Sequence, residues 1–254
     1  AVIIDFTGPW EVFQDTGVPG RNDPAFRLYT VSESTAPIRA SGGMQIIPDY
    51  TLANAPAPKV IVIPAQSKPS AAVLDWIRKS YQNADMTMSV CTGAFVLAKT
   101  GLLSGKDATT FHDAYKRFAV QFPDVHLKRG ARFVDDGNLA TAGGLSSGID
   151  LALHVIERYF GREVAAKTAY TMEYQGQGWM NADSNQLYTK SAVSTAEHPL
   201  CLVCGMDVEP KTAPKSVYKG KTYYFCSNDD KATFDAAPEK FAERDRLWES
   251  RDPR

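Results

Sequence analysis

The sequence predicts an α/β domain followed by a small cysteine-bearing module. Three observations carry this. Short apolar runs rich in β-branched residues alternate with amphipathic stretches over residues 1–180, as strands do when helices connect them. Residues 60–63 (VIVI) read as a strand buried on both faces of a parallel sheet. The four cysteines divide unevenly: Cys91 stands alone, and Cys201, Cys204 and Cys226 cluster near the C-terminus. That distribution is not a disulfide scaffold; it suggests one thiol for chemistry and three for a metal or a redox pair.

In chain order, residues 5–17 read as a strand end, a turn at Thr7 and Gly8, and a helix with Pro9 at its first position. Asp5 is either a capping carboxylate or a proton-transfer group; Glu11 reads as solvent-facing. Residues 26–32 alternate like a strand, and 38–50 like a hairpin or edge segment. Residues 71–82 form an amphipathic helix that leads to the most informative stretch, residues 86–112. There a short strand, 87–90, breaks at Cys91 and a helical run follows, ended by Gly101 at a C-cap. Ser89-Val90-Cys91-Thr92-Gly93 has the spacing of a nucleophile elbow. A cysteine at a helix start faces unpaired N–H groups, so a lowered thiol pKa is expected. The same spacing suits a small, inert cysteine in a strand-to-helix crossover. His112 follows as a proton shuttle or as an ordinary polar helix residue.

Residues 122–136 suggest a hairpin, with His126 on its surface, and 139–142 a further strand. Residues 149–160 form a long helix, on which His154 and Glu157, three apart, read as ordinary helix chemistry. An aromatic, glycine-interrupted segment (172–180) precedes a polar linker over 181–197.

In the module (198–254), Cys201-x-x-Cys204-Gly205 forms a knuckle, a hairpin around Lys219-Gly220 returns Cys226 toward it, and residues 228–234 begin a short helix. Three thiolates suit zinc or copper(I), and metal would help to hold so thin a core. No fourth ligand is obvious: Asp230 lies four residues after Cys226 and His198 three before Cys201. The cysteines also allow a disulfide or free thiols. Residues 242–254 are highly charged and read as a surface helix or tail.

Charge is nearly balanced, 28 basic residues against 29 acidic ones, so nucleic acid is not an expected partner. No apolar run is of membrane-spanning length, and no membrane partner is expected. No signal peptide is visible, but the N-terminus reads as incomplete and does not give the location; cytoplasmic is the expectation.

DFTGPWEVF (5–13), SVCTGAFVLAKTGLLSGKDATT (89–110) and GNLATAGGLSSGIDLALHVIE (137–157) resemble the ThiJ/PfpI superfamily, particularly its isonitrile hydratase branch and the sensor domains of AraC-type regulators. The resemblance implies a flavodoxin-like, class I glutamine amidotransferase-like sandwich, a homodimer, and an acidic residue, here Asp5, beside the reactive thiol. It also implies a strand before the DFTGP motif, of which residues 2–4 are a stub: shortened, or cut off upstream. Most relatives carry two glycines after the proline that follows the VIVI strand, where an N–H helps to hold an oxyanion; here Ala65 and Gln66 stand in their place. Thr92 replaces the histidine that protease-like members carry after the cysteine, which argues against a peptidase dyad. Residues 198–241 resemble a YHS domain, a metal-associated family. Asp230 stands near where related families often carry a soft fourth ligand, a departure that lowers affinity or changes geometry.

These readings converge on a cysteine-dependent hydratase acting on a small-molecule electrophile. Cys91, Asp5 and Thr92 are its catalytic candidates, Ala65, Gln66, Gly8 and His112 its substrate or oxyanion candidates. The α/β domain needs no cofactor; zinc or copper on Cys201, Cys204 and Cys226 is the expectation for the module. A thiol-based redox or metal sensor without turnover, and glyoxalase-like hydration of 2-oxoaldehydes, are the alternatives. A transcription regulator is disfavoured because no basic recognition helix follows.

Overall fold

The structure is a computed structural model that describes residues 1–189, 194, 197, 199–203 and 208–242. It divides into two units, Ala1–Thr189 and Lys190–Arg254.

The first helix, α1 (Ile3–Gln14), corrects the sequence reading at once. Thr7 and Gly8 are no turn, and Pro9 lies inside the helix. Packing accounts for the difference. Gly8 is buried against Ile149, and a Cβ there would lie 2.9 Å from that side chain, so the small residue lets two helices meet closely. Residues 2–4 are correspondingly the helix entry rather than a strand stub. Of 26–32, only β1 (Val31–Ser32) is strand. The hairpin predicted over 38–50 is present as β2 (Ile38–Arg39) against β3 (Gln45–Ile46), and β4 (Tyr50–Thr51) pairs in parallel with β1.

The central sheet combines β5 (Val60–Ile63), β6 (Met86–Val90), and the hairpin β9 (Phe133–Asp136) and β10 (Leu139–Ala142), in the order β5-β6-β10-β9. Only β9 runs antiparallel to its neighbour. In β5, Ile61 and Ile63 are buried and Val60 and Val62 only partly so, less burial than a strand covered on both faces would show. Between β6 and β9 come α3 (Gly93–Lys99), β7 (Asp107–Ala108), α4 (Tyr115–Gln121) and β8 (His126–Leu127). The hairpin expected within 122–136 is absent: β8 pairs in parallel with β7, and the true hairpin turns at Gly137 between β9 and β10. His126 is exposed, as expected.

Helices cover both sheet faces. Met86, Met88, Val90, Ala140 and Ala142 pack with α1, α5 (Ser147–Phe160) and α6 (Arg162–Thr171). Ile61, Ile63 and Leu139 pack on the other side with α2 (Ala71–Tyr81), α3 and α4. Residues 181–189 belong to this unit rather than to a linker: Asn185 is buried, its N–H donates to Gly130 O at 3.1 Å, and Arg132 N–H donates to Ala182 O at 2.6 Å.

In the second unit, β11 (Lys215–Tyr218) and β12 (Lys221–Tyr224) form the expected hairpin, followed by α7 (Asn228–Ala236). Phe225, Phe234 and Cys201 are at its core. Cys204, Gly205, His198 and the charged tail from 243 onward lie outside the described residues.

Candidate active site

Strand β6 ends at Cys91, whose φ of 59° is a left-handed value rare for a side-chain-bearing residue. Backbone contacts hold it there: its N–H donates to Gly143 O at 2.8 Å, and its carbonyl accepts from Thr110 Oγ1 at 2.9 Å. Gly93 is obligatory because a Cβ there would lie 2.1 Å from Ile63 O. The turn thus presses α3 against the end of β5 and leaves Cys91 buried at the sheet's carboxyl end, on an elbow as the spacing suggests.

Asp5, from α1, is fully buried. Its Oδ2 accepts from Ala65 N–H at 3.0 Å. Its Oδ1 is buried without a partner that meets hydrogen-bond geometry, and the Cys91 thiol interacts with the carboxyl. Burial raises the Asp5 pKa to about 6, against the lowering effect of the Ala65 amide and the thiol. The thiol is raised too, to about 11, by burial first and by the charge of Asp5 second. This reverses the lowered value expected for a helix start: amides of Thr92 and Leu145 and the Thr92 hydroxyl do stabilise the sulfur anion, but desolvation outweighs them. At neutral pH the proton rests on sulfur and the neighbouring carboxyl is ionised, the two titrating as a coupled pair.

The other candidates separate. Thr92 lies at the sulfur. Ala65 is not an oxyanion donor, because its N–H is taken by Asp5. Gln66 lines an open cleft of about 480 Å³ together with Ala65, Ser67, Thr92 and Arg39. Gly8 is a packing residue in α1 rather than part of the cleft. His112 stacks between Phe111 and Tyr188, with Nδ1 3.4 Å from Asp113 Oδ1. None of these partners is a site residue. His154 and Glu157 pair with Asp135 and Arg162, as ordinary surface residues do.

The Leu145 amide escaped sequence reading. Backbone donors leave no side-chain signature; Gly143-Gly144 just ahead was the available hint. Leu145 has φ 46°, and Arg132 braces the following residue by donating to Ser146 Oγ at 3.0 Å. Arg132 is itself fixed by Asp150 (Nε to Oδ2, 2.6 Å), which also accepts from Tyr174 OH and Trp179 N–H.

In the second unit, the thiols of Cys201 and Cys226 lie 3.3 and 3.2 Å from Asp230 Oδ2. Ser227 caps α7 by accepting from Asp230 N–H, which orients that residue. The three donor atoms lie within 4.8 Å of one another, a spacing and chemistry that fit a soft cation.

Comparison with known proteins identifies both units. The model of the DJ-1/PfpI family covers residues 3–158, and that of the YHS domain residues 202–245. An isonitrile hydratase of Pseudomonas putida is 34% identical over 176 residues, 67% of this chain and 73% of that protein. The HTH-type transcriptional regulator CdhR of Pseudomonas aeruginosa is 29% identical over 57% of this chain, which spans only 44% of the regulator. Two crystal structures share the fold. A THiJ/PfpI family protein from Pseudomonas syringae has TM-score 0.61 at 23% identity, covering 69% of this chain and 72% of that one. Drosophila melanogaster DJ-1beta has TM-score 0.57 at 22% identity, covering 68% and 92%. The first unit is therefore the flavodoxin-like α/β sandwich that these proteins share, and the chain belongs to the DJ-1/PfpI family, with a YHS domain behind it.

Proposed function

We propose that the protein is a cysteine-dependent hydratase of small electrophiles, with isonitriles as the favoured class. The observation that carries this is the buried Asp5 carboxyl set against a thiol on a strained elbow. An ionised Asp5 takes the thiol proton as sulfur bonds to the isonitrile carbon, and that carbon receives the proton, giving a thioimidate. Asp5 then removes a proton from an attacking water. The water oxygen bonds to the thioimidate carbon as the nitrogen takes up that proton; the new hydroxyl then gives up its proton as the C–S bond breaks, an N-substituted formamide leaves and sulfur regains the proton. The Thr92 and Leu145 amides stabilise negative charge on sulfur in both steps. Similarity to the Pseudomonas putida isonitrile hydratase supports the choice of substrate. A redox sensor would use the same thiol; the carboxyl within reach of it supplies the proton acceptor that the hydratase reading needs.

The protein is read as a homodimer. The YHS unit is read as holding zinc or copper(I) on Cys201, Cys226 and Asp230, and Cys204 is a further expected ligand outside the described residues.

The test is conversion of phenyl isonitrile to N-phenylformamide by wild type and by Cys91→Ala. Turnover that falls to the uncatalysed rate in the variant is the expected result. An inactive wild type, or an active variant, overturns the hydratase.

A further inference from the structure

We infer that the cleft selects electrophiles that carry a carboxylate, and that Arg39 is the residue that binds it. The inference rests on the reading of Cys91 as the nucleophile and names the substrate class for that site.

Arg39 is the one charged side chain among the residues lining the cleft. It is exposed and makes no ion pair or hydrogen bond among the described residues. Its guanidinium rests by Gly43, where a Cβ would lie 3.5 Å from Nη2. The β2–β3 hairpin that carries it is stitched to the start of α1, since Ser41 Oγ accepts from Ile3 N–H at 3.0 Å. The hairpin backbone that carries Arg39 is thus tied to α1 two residues before Asp5. Gln66 and Ser67, in the same lining, add polar side chains that suit a carboxylate.

Thr92, whose amide and hydroxyl reach the Cys91 sulfur, also lines this cleft, so the thiol and Arg39 share a neighbour. Charge decides the orientation: Asp5 disfavours an anion at the sulfur, and Arg39 favours one in the cleft. A ligand that satisfies both is bifunctional: electrophilic carbon inward, carboxylate outward. A cleft of about 480 Å³ limits it to a small molecule.

The experiment measures alkylation of Cys91 in the full chain by iodoacetate and by iodoacetamide, quantified on the Cys91 peptide by mass spectrometry. Alkylation requires no hydratase turnover. Arg39→Met is expected to lower the iodoacetate-to-iodoacetamide rate ratio by about tenfold, the size of a charged hydrogen bond, and Arg39→Lys to restore part of it. An unchanged ratio in Arg39→Met overturns the inference. In parallel, KM for 4-isocyanobenzoate is expected to rise in Arg39→Met while that for phenyl isonitrile holds; equal changes in both also overturn it. Absent turnover with both compounds, combined with a lowered alkylation ratio, would sink hydration and leave Arg39 as the anion selector.

Discussion

Two demands oppose one another at Asp5. Catalysis needs an ionised carboxyl beside the thiol, whereas burial favours the neutral acid. A rise from 3.8 to about 6 is worth about 3 kcal/mol. The folded state binds this proton more tightly than the unfolded one, so the native protein loses that stability as pH rises from about 4 through about 6. Asp5→Asn is therefore expected to match wild type in thermal unfolding at pH 4 and to exceed it at pH 8, while activity falls about a hundredfold or more. In wild type the rate should fall on the acid side with a midpoint near 6, where the base is protonated. A variant less stable than wild type at pH 8 would contradict the desolvation argument. Asp5 and Cys91 were legible as a pair because motif and spacing name them. The direction of the thiol's shift was not, since a sequence displays a helix start but not how deeply the sulfur is buried. Leu145 was illegible for a different reason: its contribution is an N–H that every residue but proline has.

Among elements, the elbow is the one most fully written in the sequence. Gly93→Ala drives a Cβ into Ile63 O, and is expected to cost about 3 kcal/mol in urea unfolding as overpacking against backbone. Gly101→Ala is the control: its φ of +83° is strained for alanine, but nothing lies within 4 Å, so about 1 kcal/mol is expected. Equal losses would show that the helix–strand approach is looser than the geometry requires. Helix α1 was the misleading element. Thr7-Gly8-Pro9 has turn chemistry locally, yet the segment is helical because α5 and β5 pack against it. The β7–β8 pairing was hidden too, since two-residue strands carry almost no periodicity and their partners are distant in sequence.

For the whole molecule, the two units have separate cores and should respond separately to metal. Zinc at a hundred times its Kd is expected to stabilise the second unit by about 2.7 kcal/mol and to leave the unfolding of the first unchanged. A chelator should reverse the gain, and Asp230→Ala should weaken it. Calorimetry with no zinc-dependent shift would remove the metal reading. The division into an α/β unit and a cysteine module was visible in the cysteine distribution, whereas the attachment of residues 181–189 to the first unit was not, because that segment is polar and lacks a repeat.

The Arg132–Asp150 network also bears on the order in which the protein is made. Asp150 is satisfied only once Tyr174 and Trp179 arrive, and Arg132 only once Asn185 does. A nascent chain that has emerged as far as α5 already carries Asp5, Cys91 and Thr92, but the brace behind the Leu145 amide lacks its last members. The site is thus assembled from first to last: its chemistry is encoded early in translation and its rigidity is delivered by some of the final residues of the unit.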